Sequence, residues 1–297
     1  MTILYSSPNK NKSFLIFKPN IIIKNIVKSN KIYKEIYAII KRLYLQNSRR
    51  PYNIFISIAQ PILWLILFGA LFQNAPINLF DQYTLKYEEF LNPGIIIFTS
   101  FNSAINAGLP IIFDREFGFF NRLLVSPLIY KNTIIISTTI NIWIITILQI
   151  ISIIIISIVF LQSNIKISQL FIIILINTFI IIYTANISIF NAFTLPGHIE
   201  FIALAIIINL PILFLSTALA PLGFMPYWLQ IAACLNPLTY GIEIIRNIVF
   251  NNKIILEEDI INTIYFQITV NKSILILTII NIISSIVVHK FIKYKYD

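Results

Sequence analysis

The stretch that decides the fold class runs from Thr133 to Leu161 and reads TIIISTTINIWIITILQIISIIIISIVFL, without a single charged residue. A bilayer core about 30 Å thick is crossed by about 20 helical residues. This run is longer, so a helix over it would tilt or protrude. Similar apolar runs occupy 53–72, 93–113, 170–195, 201–220 (with Pro211 inside, predicting a kink) and 274–292. The sequence therefore predicts an all-α polytopic membrane protein with six transmembrane helices.

The composition agrees with this fold class. Hydrophobic residues make up 58% of the 297 residues, charged residues 11%, and the mean hydropathy is +0.84. Soluble domains are about 45–50% apolar and about 25% charged, so an ordinary soluble globule is excluded. One cysteine and two histidines exclude a disulfide framework and a cysteine or histidine metal cluster. We expect no metal and no bound cofactor.

The positive charge is concentrated ahead of the first apolar run. Residues 1–50 hold 11 of the 22 Lys and Arg but only one acid, Glu35. Ile32, Ile36, Ile39 and Leu43 share one helical face there, which predicts an amphipathic helix at the membrane surface. Docking on a partner protein is the alternative; nucleic-acid binding is disfavoured beside membrane spans, where basic segments meet anionic lipid. We divide the chain into a basic segment, 1–50, and a transmembrane domain, 51–297.

The apolar segment Leu222–Phe250 is interrupted by Pro226 and by Asn236-Pro237. With six spans and the N-terminus inside, 17 basic residues lie inside and five outside, as the positive-inside rule requires. A seventh crossing would weaken this asymmetry. We therefore predict a re-entrant helical hairpin between the fifth and sixth spans, which is tolerated where it is buried in protein or faces water.

The chain lacks the motifs of an ATPase or a hydrolase. None of its seven glycines is followed by Lys, so the phosphate-binding loop is missing, and there is no Gly-x-Ser-x-Gly nucleophile elbow. His198 and Glu200 could mimic an acid–base pair, but a polar turn between two spans explains them more simply. We expect no enzymatic activity from this chain alone.

The loop Asp114–Lys131 reads DREFGFFNRLLVSPLIYK and combines charged with apolar residues. Asp114, Arg115 and Glu116 follow the second span directly. A short amphipathic helix comes next, with Arg122 beside an apolar face of Phe119, Phe120, Leu123 and Leu124. Such a helix could dock in a groove of a soluble partner or lie among lipid headgroups, and its periodicity does not separate the two.

Two motifs resemble the permeases of the ABC-2 type transporter family. The first is NRLLVSPL at 121–128, which departs from the family pattern in having Asn121 in place of an acidic residue. The second is LAPLGFMPYWLQIAACLNPLTYGIEIIRNIVF at 219–250, in which the matching residues include Pro226, Trp228, Asn236, Pro237, Tyr240 and Arg246. The 74 isoleucines indicate A/T-rich coding, and with it the chain is most similar to permeases encoded in algal plastid genomes.

The resemblance implies a permease subunit without its own ATPase site. It implies a homodimer, a separate ATP-binding-cassette subunit that carries the ATP, and a plastid membrane. The family's substrates range from lipids and polysaccharide precursors to drugs, and we expect a lipidic or amphipathic one here. The positive-inside rule predicts that the termini lie on the stromal side. The coupling residues implied are Arg115, Glu116, Phe119, Phe120, Arg122, Leu123 and Leu124. The alternative function is a non-transporting membrane assembly factor or scaffold on the same fold.

Polar residues inside the apolar runs could line a substrate path or join helices by side-chain hydrogen bonds. They are Asn102, Asn106, Asn177, Thr184 and Asn191. In the hairpin, Glu243 and Arg246 have the i, i+3 spacing of an ion pair. Charges at membrane depth suggest a function; the alternative is that this pair lies at the aqueous face.

Overall fold

The computed structural model describes residues 23–49, 51–72, 87–125, 132–161, 166–251, 257–262 and 267–296. Helices dominate these residues, and a small two-stranded sheet accompanies them. The helices are α1 Ile23–Ser48, α2 Pro51–Leu71, α3 Tyr87–Ala104, α4 Leu109–Glu116, α5 Phe119–Val125, α6 Asn132–Leu161, α7 Ile167–Thr194, α8 His198–Phe214, α9 Tyr227–Leu235, α10 Pro237–Asn251 and α11 Val270–Tyr296. The strands are β1 Asp259–Asn262 and β2 Gln267–Thr269.

Helix α3 lies at the centre of the bundle, packed against α2, α6, α7 and α10. Nearly every residue from Tyr87 to Ala104 is buried, which is the pattern of a helix surrounded by other helices. Gly94 permits one close approach, because a Cβ there would come within 2.6 Å of the backbone oxygen of Ala218. The second span is thus the core of the fold, and α7 connects it to α11.

The amphipathic helix of the basic segment is present as α1. Its Leu43 is 2% exposed, whereas Lys34 and Lys41 are exposed. The apolar face of α1 packs chiefly on α6 and also contacts α2. Burial of one face is the reason that this polar segment forms a long helix.

Four helical segments in the described part of the chain are long and apolar enough to cross a membrane: Tyr87–Glu116, Asn132–Val159, Ile167–Thr194 and Val270–Tyr294. The shorter apolar helices are Phe55–Leu71 and His198–Phe214. The chain is thus a multi-pass membrane protein, and the six-span count stays a prediction.

The predicted second span, 93–113, differs from the structure at both ends. Its helix already begins at Tyr87 and is interrupted by turns at 105–108, after which α4 starts. Pro110 lies in the first turn of α4, where a missing backbone N–H leaves no intrahelical bond unmade. Ser188 of α7 stabilises the break, since its hydroxyl accepts from the Gly108 N–H at 2.8 Å and donates to the Ile105 carbonyl at 2.5 Å.

The predicted fifth span, 201–220, extends beyond the end of the helix in the structure. Helix α8 has 17 residues and ends at Phe214, three residues after Pro211, and the chain then runs through turns to a single 3-10 turn at Leu222–Phe224. Apolar composition alone does not reveal this end. The carbonyl groups of Ile212 and Leu215 receive their hydrogen bonds from a distant side chain, Asn236.

The structure contains one small element that the all-α prediction did not include. Strands β1 and β2 pair antiparallel just before α11. Ile261 is paired with Ile268, and both side chains are buried. Cross-strand contact between β-branched residues stabilises such a pair, and its packing against α10 and α11 supplies the support that an isolated hairpin lacks.

Candidate functional site

The predicted coupling loop forms a corner between two short helices, α4 and α5. Phe117 and Gly118 join them, and Gly118 has φ = +72°, a left-handed conformation that favours glycine. The six residues after Val125 fall outside the described part of the chain. We call residues 109–125 the α4–α5 corner.

Charged residues at the end of α4 bind other parts of the same chain. Arg115 donates to the backbone carbonyl of Leu195 at 3.1 Å and also to that of Ala192, at the end of α7. Asp114 forms an ion pair with Arg42 of α1. The corner is therefore anchored to both α1 and α7.

Glu116 joins the corner to the start of α8. One carboxylate oxygen accepts from the backbone N–H of His198 at 2.9 Å, and the other lies 2.5 Å from His198 Nδ1. The sequence had set His198 beside Glu200, but the structure pairs it with Glu116. Arg115 and Glu116 thus position the corner, and neither points freely towards a partner.

Phe120, which belongs to the predicted apolar face of α5, is 5% exposed. Its ring packs edge-on against Phe193 of α7, with 5.6 Å between the centroids, in a cluster that includes Ile189 and Ile292. The reason is that α5 turns its apolar side onto the bundle of its own chain. Phe120 is therefore not available to fill a partner's groove.

Of the other apolar side chains of the corner, some pack on the same chain and others are exposed. Phe119 is 37% exposed and lies under the Arg42 guanidinium, 4.6 Å from it. Leu123 is half-buried, whereas the side chain of Leu124 lies outside the described part. Arg122 is exposed, and so are two residues that the sequence analysis did not select, Phe117 at 79% and Val125 at 87%. No sequence signal separated these outward residues from the buried ones.

The predicted hairpin segment contains two helices, α9 and α10, that meet at Asn236. Pro226 immediately precedes α9, Trp228 is 68% exposed on it, and Pro237 begins α10. Proline at the first position of a helix removes no intrahelical hydrogen bond. The prolines of the motif therefore mark two helix starts, while the membrane depth of this segment stays a prediction.

The polar residues of the Asn-Pro-Leu-Thr-Tyr motif satisfy the backbone at this joint. Asn236 donates to the carbonyls of Ile212 and Leu215, both at 3.0 Å, and its own oxygen accepts from the Leu238 N–H. Thr239 and Tyr240 donate to carbonyls at the end of α9, at 2.7 and 2.5 Å. Helix ends leave carbonyl groups without intrahelical partners. The motif therefore joins the ends of α8 and α9 to the start of α10.

Glu243 and Arg246 form a buried ion pair. They are 6% and 1% exposed, with 2.5 Å between Oε1 and Nη1. Arg246 also donates to the carbonyls of Thr217 at 2.9 Å and Phe90 at 3.4 Å, and its guanidinium lies 3.8 Å from the Phe90 ring centroid. The pair is enclosed by protein, and it connects α10 to α3 and to the turns after α8.

The polar residues proposed for a path fall into two groups. Asn177 is fully buried and bonds Ser100 of α3 and the Ile173 carbonyl, so it joins helices. Asn102 and Asn106 line a cavity of about 440 Å³. Thr184 and Asn191 line a smaller one of about 180 Å³, although the Thr184 hydroxyl also donates to its own helix.

Comparisons with known proteins agree with this architecture. Residues 34–250 match the sequence profile of the ABC-2 type transporter family. The chain is 44% identical over 271 residues to a protein of Porphyra purpurea. The aligned region covers 91% of this chain and 93% of the relative. A protein of Pyropia yezoensis is also 44% identical, over 91% of this chain and 92% of its own length, and one of Cyanophora paradoxa is 41% identical over 88% and 89%.

All three relatives carry the name "Putative transport permease ycf38". The family profile covers most of the chain, from the middle of α1 to the last turn of α10. It thus includes both motifs on which the resemblance rested, together with the α4–α5 corner and the Glu243–Arg246 pair. This chain therefore belongs to the ABC-2 type transporter family and is a membrane permease by family.

Proposed function

We propose that this chain is the membrane-spanning subunit of an ATP-binding-cassette transporter, working as a homodimer with a separate ATP-binding subunit. The observation that carries the proposal is the α4–α5 corner, which combines outward apolar residues with an ion pair and hydrogen bonds that anchor it to its own chain. Force applied to such a corner reaches α1, α7 and α8 directly. The names of the relatives support a transport role.

The surface that we propose for docking differs from the face predicted by periodicity. It consists of Phe117, Val125 and the exposed Arg122, since Phe120 is occupied by its own chain. Exposed apolar side chains flanked by charge are typical of binding surfaces. Arg122 would act mainly on the rate of association, whereas the apolar pair would supply affinity.

The substrate that we propose is lipidic or amphipathic, and the membrane is that of a plastid. Large apolar side chains cover the outer surfaces of α2, α6 and α11, so a substrate with hydrocarbon chains could reach the protein from the bilayer. The basic segment supports a stromal N-terminus, by the positive-inside rule. Plastid location rests on the algal relatives and on the A/T-rich coding.

The test is reconstitution with a candidate ATP-binding protein encoded in the same organism. The purified permease should bind it and stimulate ATP hydrolysis, whereas the permease alone should hydrolyse none. Truncating a buried apolar anchor costs about 2 kcal/mol or more, about a thirtyfold loss of affinity. Phe117→Ala combined with Val125→Ala should therefore weaken binding about thirtyfold.

Phe171→Ala is the matched control, because Phe171 is 71% exposed near the start of α7, away from the corner. It should bind the ATP-binding protein as the wild type does. Wild-type affinity in the double variant would place the docking surface elsewhere. A stable complex that never couples ATP hydrolysis to substrate movement in proteoliposomes would favour the scaffold function instead.

A further inference from the structure

The cavity of about 440 Å³ lies between α1, α2, α3, α4 and α6 and has an unusual lining. Its described lining residues include no Lys, Arg, His, Asp or Glu. Hydroxyl side chains line it, and carboxamides are prominent among the polar groups: Gln46, Asn47, Gln60, Asn102, Asn106, Asn141 and Gln149. A volume of this size is typical of small-molecule sites. The cavity therefore offers many neutral donors and acceptors and no compensating charge.

One of these carboxamides is incompletely satisfied within the described part of the chain. Gln149 is 2% exposed, and its Nε2 donates to Ser57 Oγ at 2.7 Å, while its Oε1 has no hydrogen-bond partner there. Leaving a buried amide oxygen unpaired is unfavourable. The Gln149 side chain lines the cavity, so a rotation of its carboxamide would turn this oxygen towards a hydroxyl group bound there.

The surroundings indicate how a ligand would enter. Ile56 lines the cavity and is 59% exposed, and it belongs to the outer apolar surface of α2 together with Phe55 and Leu63. Leu43 and Gln46 of the amphipathic helix line the other side. An amphipathic helix of this kind lies at headgroup depth. The cavity is thus a polar site that adjoins both the headgroup region and an apolar, lipid-facing surface.

We propose that this cavity binds the neutral, hydroxyl-rich headgroup of a membrane lipid, whose hydrocarbon chains lie against α2 and α6. A hydroxyl both donates and accepts hydrogen bonds, as a carboxamide does, so the two are complementary. A phosphate or sulfate would enter without a cation to pair its charge. The site does not depend on whether the bound lipid is then transported.

The experiment measures lipid binding to the purified full-length chain by native mass spectrometry from phosphatidylcholine nanodiscs. The probe is a monohexosyl diacylglycerol, compared with phosphatidylglycerol and with a soluble methyl hexoside. We expect the glycolipid to bind in preference to both. Gln149→Leu and Asn106→Leu should each weaken its binding about tenfold, the loss expected when a hydrogen bond to a buried partner is removed.

Gln230→Leu is the matched control, since Gln230 lies on α9 outside the cavity and should leave binding unchanged. Asn106→Leu keeps the test decisive if Gln149→Leu misfolds, because Asn106 is exposed and donates only to the Asn102 carbonyl of the preceding turn. Equal binding of phosphatidylglycerol, equal binding of the soluble hexoside, or unchanged glycolipid binding in Asn106→Leu would overturn the proposal. No ATP-binding subunit is used, so a failure here is distinct from a failure of the proposed transport function.

Discussion

Removing the carboxylate of Glu243 should destabilise the protein strongly. Arg246 is 1% exposed and its guanidinium pairs with Glu243, so Glu243→Gln would leave a buried charge without its counter-ion. Breaking one side of a buried ion pair costs about 3–5 kcal/mol. The contact of the guanidinium with the Phe90 ring and with the Thr217 carbonyl offsets only part of this loss.

Removing both charges should be less harmful than removing one. In the double variant Glu243→Gln/Arg246→Met no charge stays buried, and the main remaining loss is the hydrogen bond to the Thr217 carbonyl, at 2.9 Å. Leaving such an acceptor unsatisfied costs about 1–3 kcal/mol. We therefore expect the double variant to be more stable than Glu243→Gln alone.

The assay is the free energy of unfolding, from titration with sodium dodecyl sulfate in mixed micelles, followed by tryptophan fluorescence. Glu200→Gln is the control, because Glu200 is exposed and surface changes usually stay within about 0.5 kcal/mol. The reasoning is refuted if Glu243→Gln is as stable as the wild type. The pair would then be hydrated at the aqueous face, as the alternative interpretation of the sequence had it.

Three further perturbations test other parts of the structure. Phe120→Ala should lower the free energy of unfolding by about 3–5 kcal/mol, because it leaves a cavity in a packed cluster. Thermal denaturation measures this loss, and an unchanged midpoint would mean that the ring faces outward. Asn236→Ala should cost about 1–3 kcal/mol in the same assay, since it leaves two carbonyl groups of the α8 end without their donor, and Asn236→Asp should not restore the loss. In a Cys234→Ala background, cysteines introduced at Lys12 and Glu258 should react with a membrane-impermeant reagent from opposite sides; labelling from one side would exclude the re-entrant hairpin.

Much of the functional region could be predicted from local sequence. Both motifs, their order and the i, i+3 spacing of Glu243 and Arg246 are properties of short segments, and the structure indeed brings that pair together. The end of α8 could not be found this way, because the side chain that satisfies its carbonyls is Asn236, more than 20 residues later. The buried side of α5 could not be found from local sequence either, because Phe119 and Phe120 are adjacent and equally apolar. They differ in their neighbours: Phe120 packs on Phe193 of α7, whereas Phe119 lies under Arg42 of α1.

The sequence by itself determined the class of the protein. Long uncharged runs can satisfy their backbone in a bilayer only as helices, so membrane residence follows from composition, and the two motifs indicate the family. The one-sided charge of 1–50 predicts their orientation. Only the tertiary structure decided which polar side chains join helices and which line a cavity. Asn177 and Asn102 are the same residue type in similar helices, but the first meets Ser100 across a packed interface, while the second lines a cavity and bonds Asn209 of α8. The physical reason is that a hydrogen bond depends on the position of its partner, which the packing of distant helices sets.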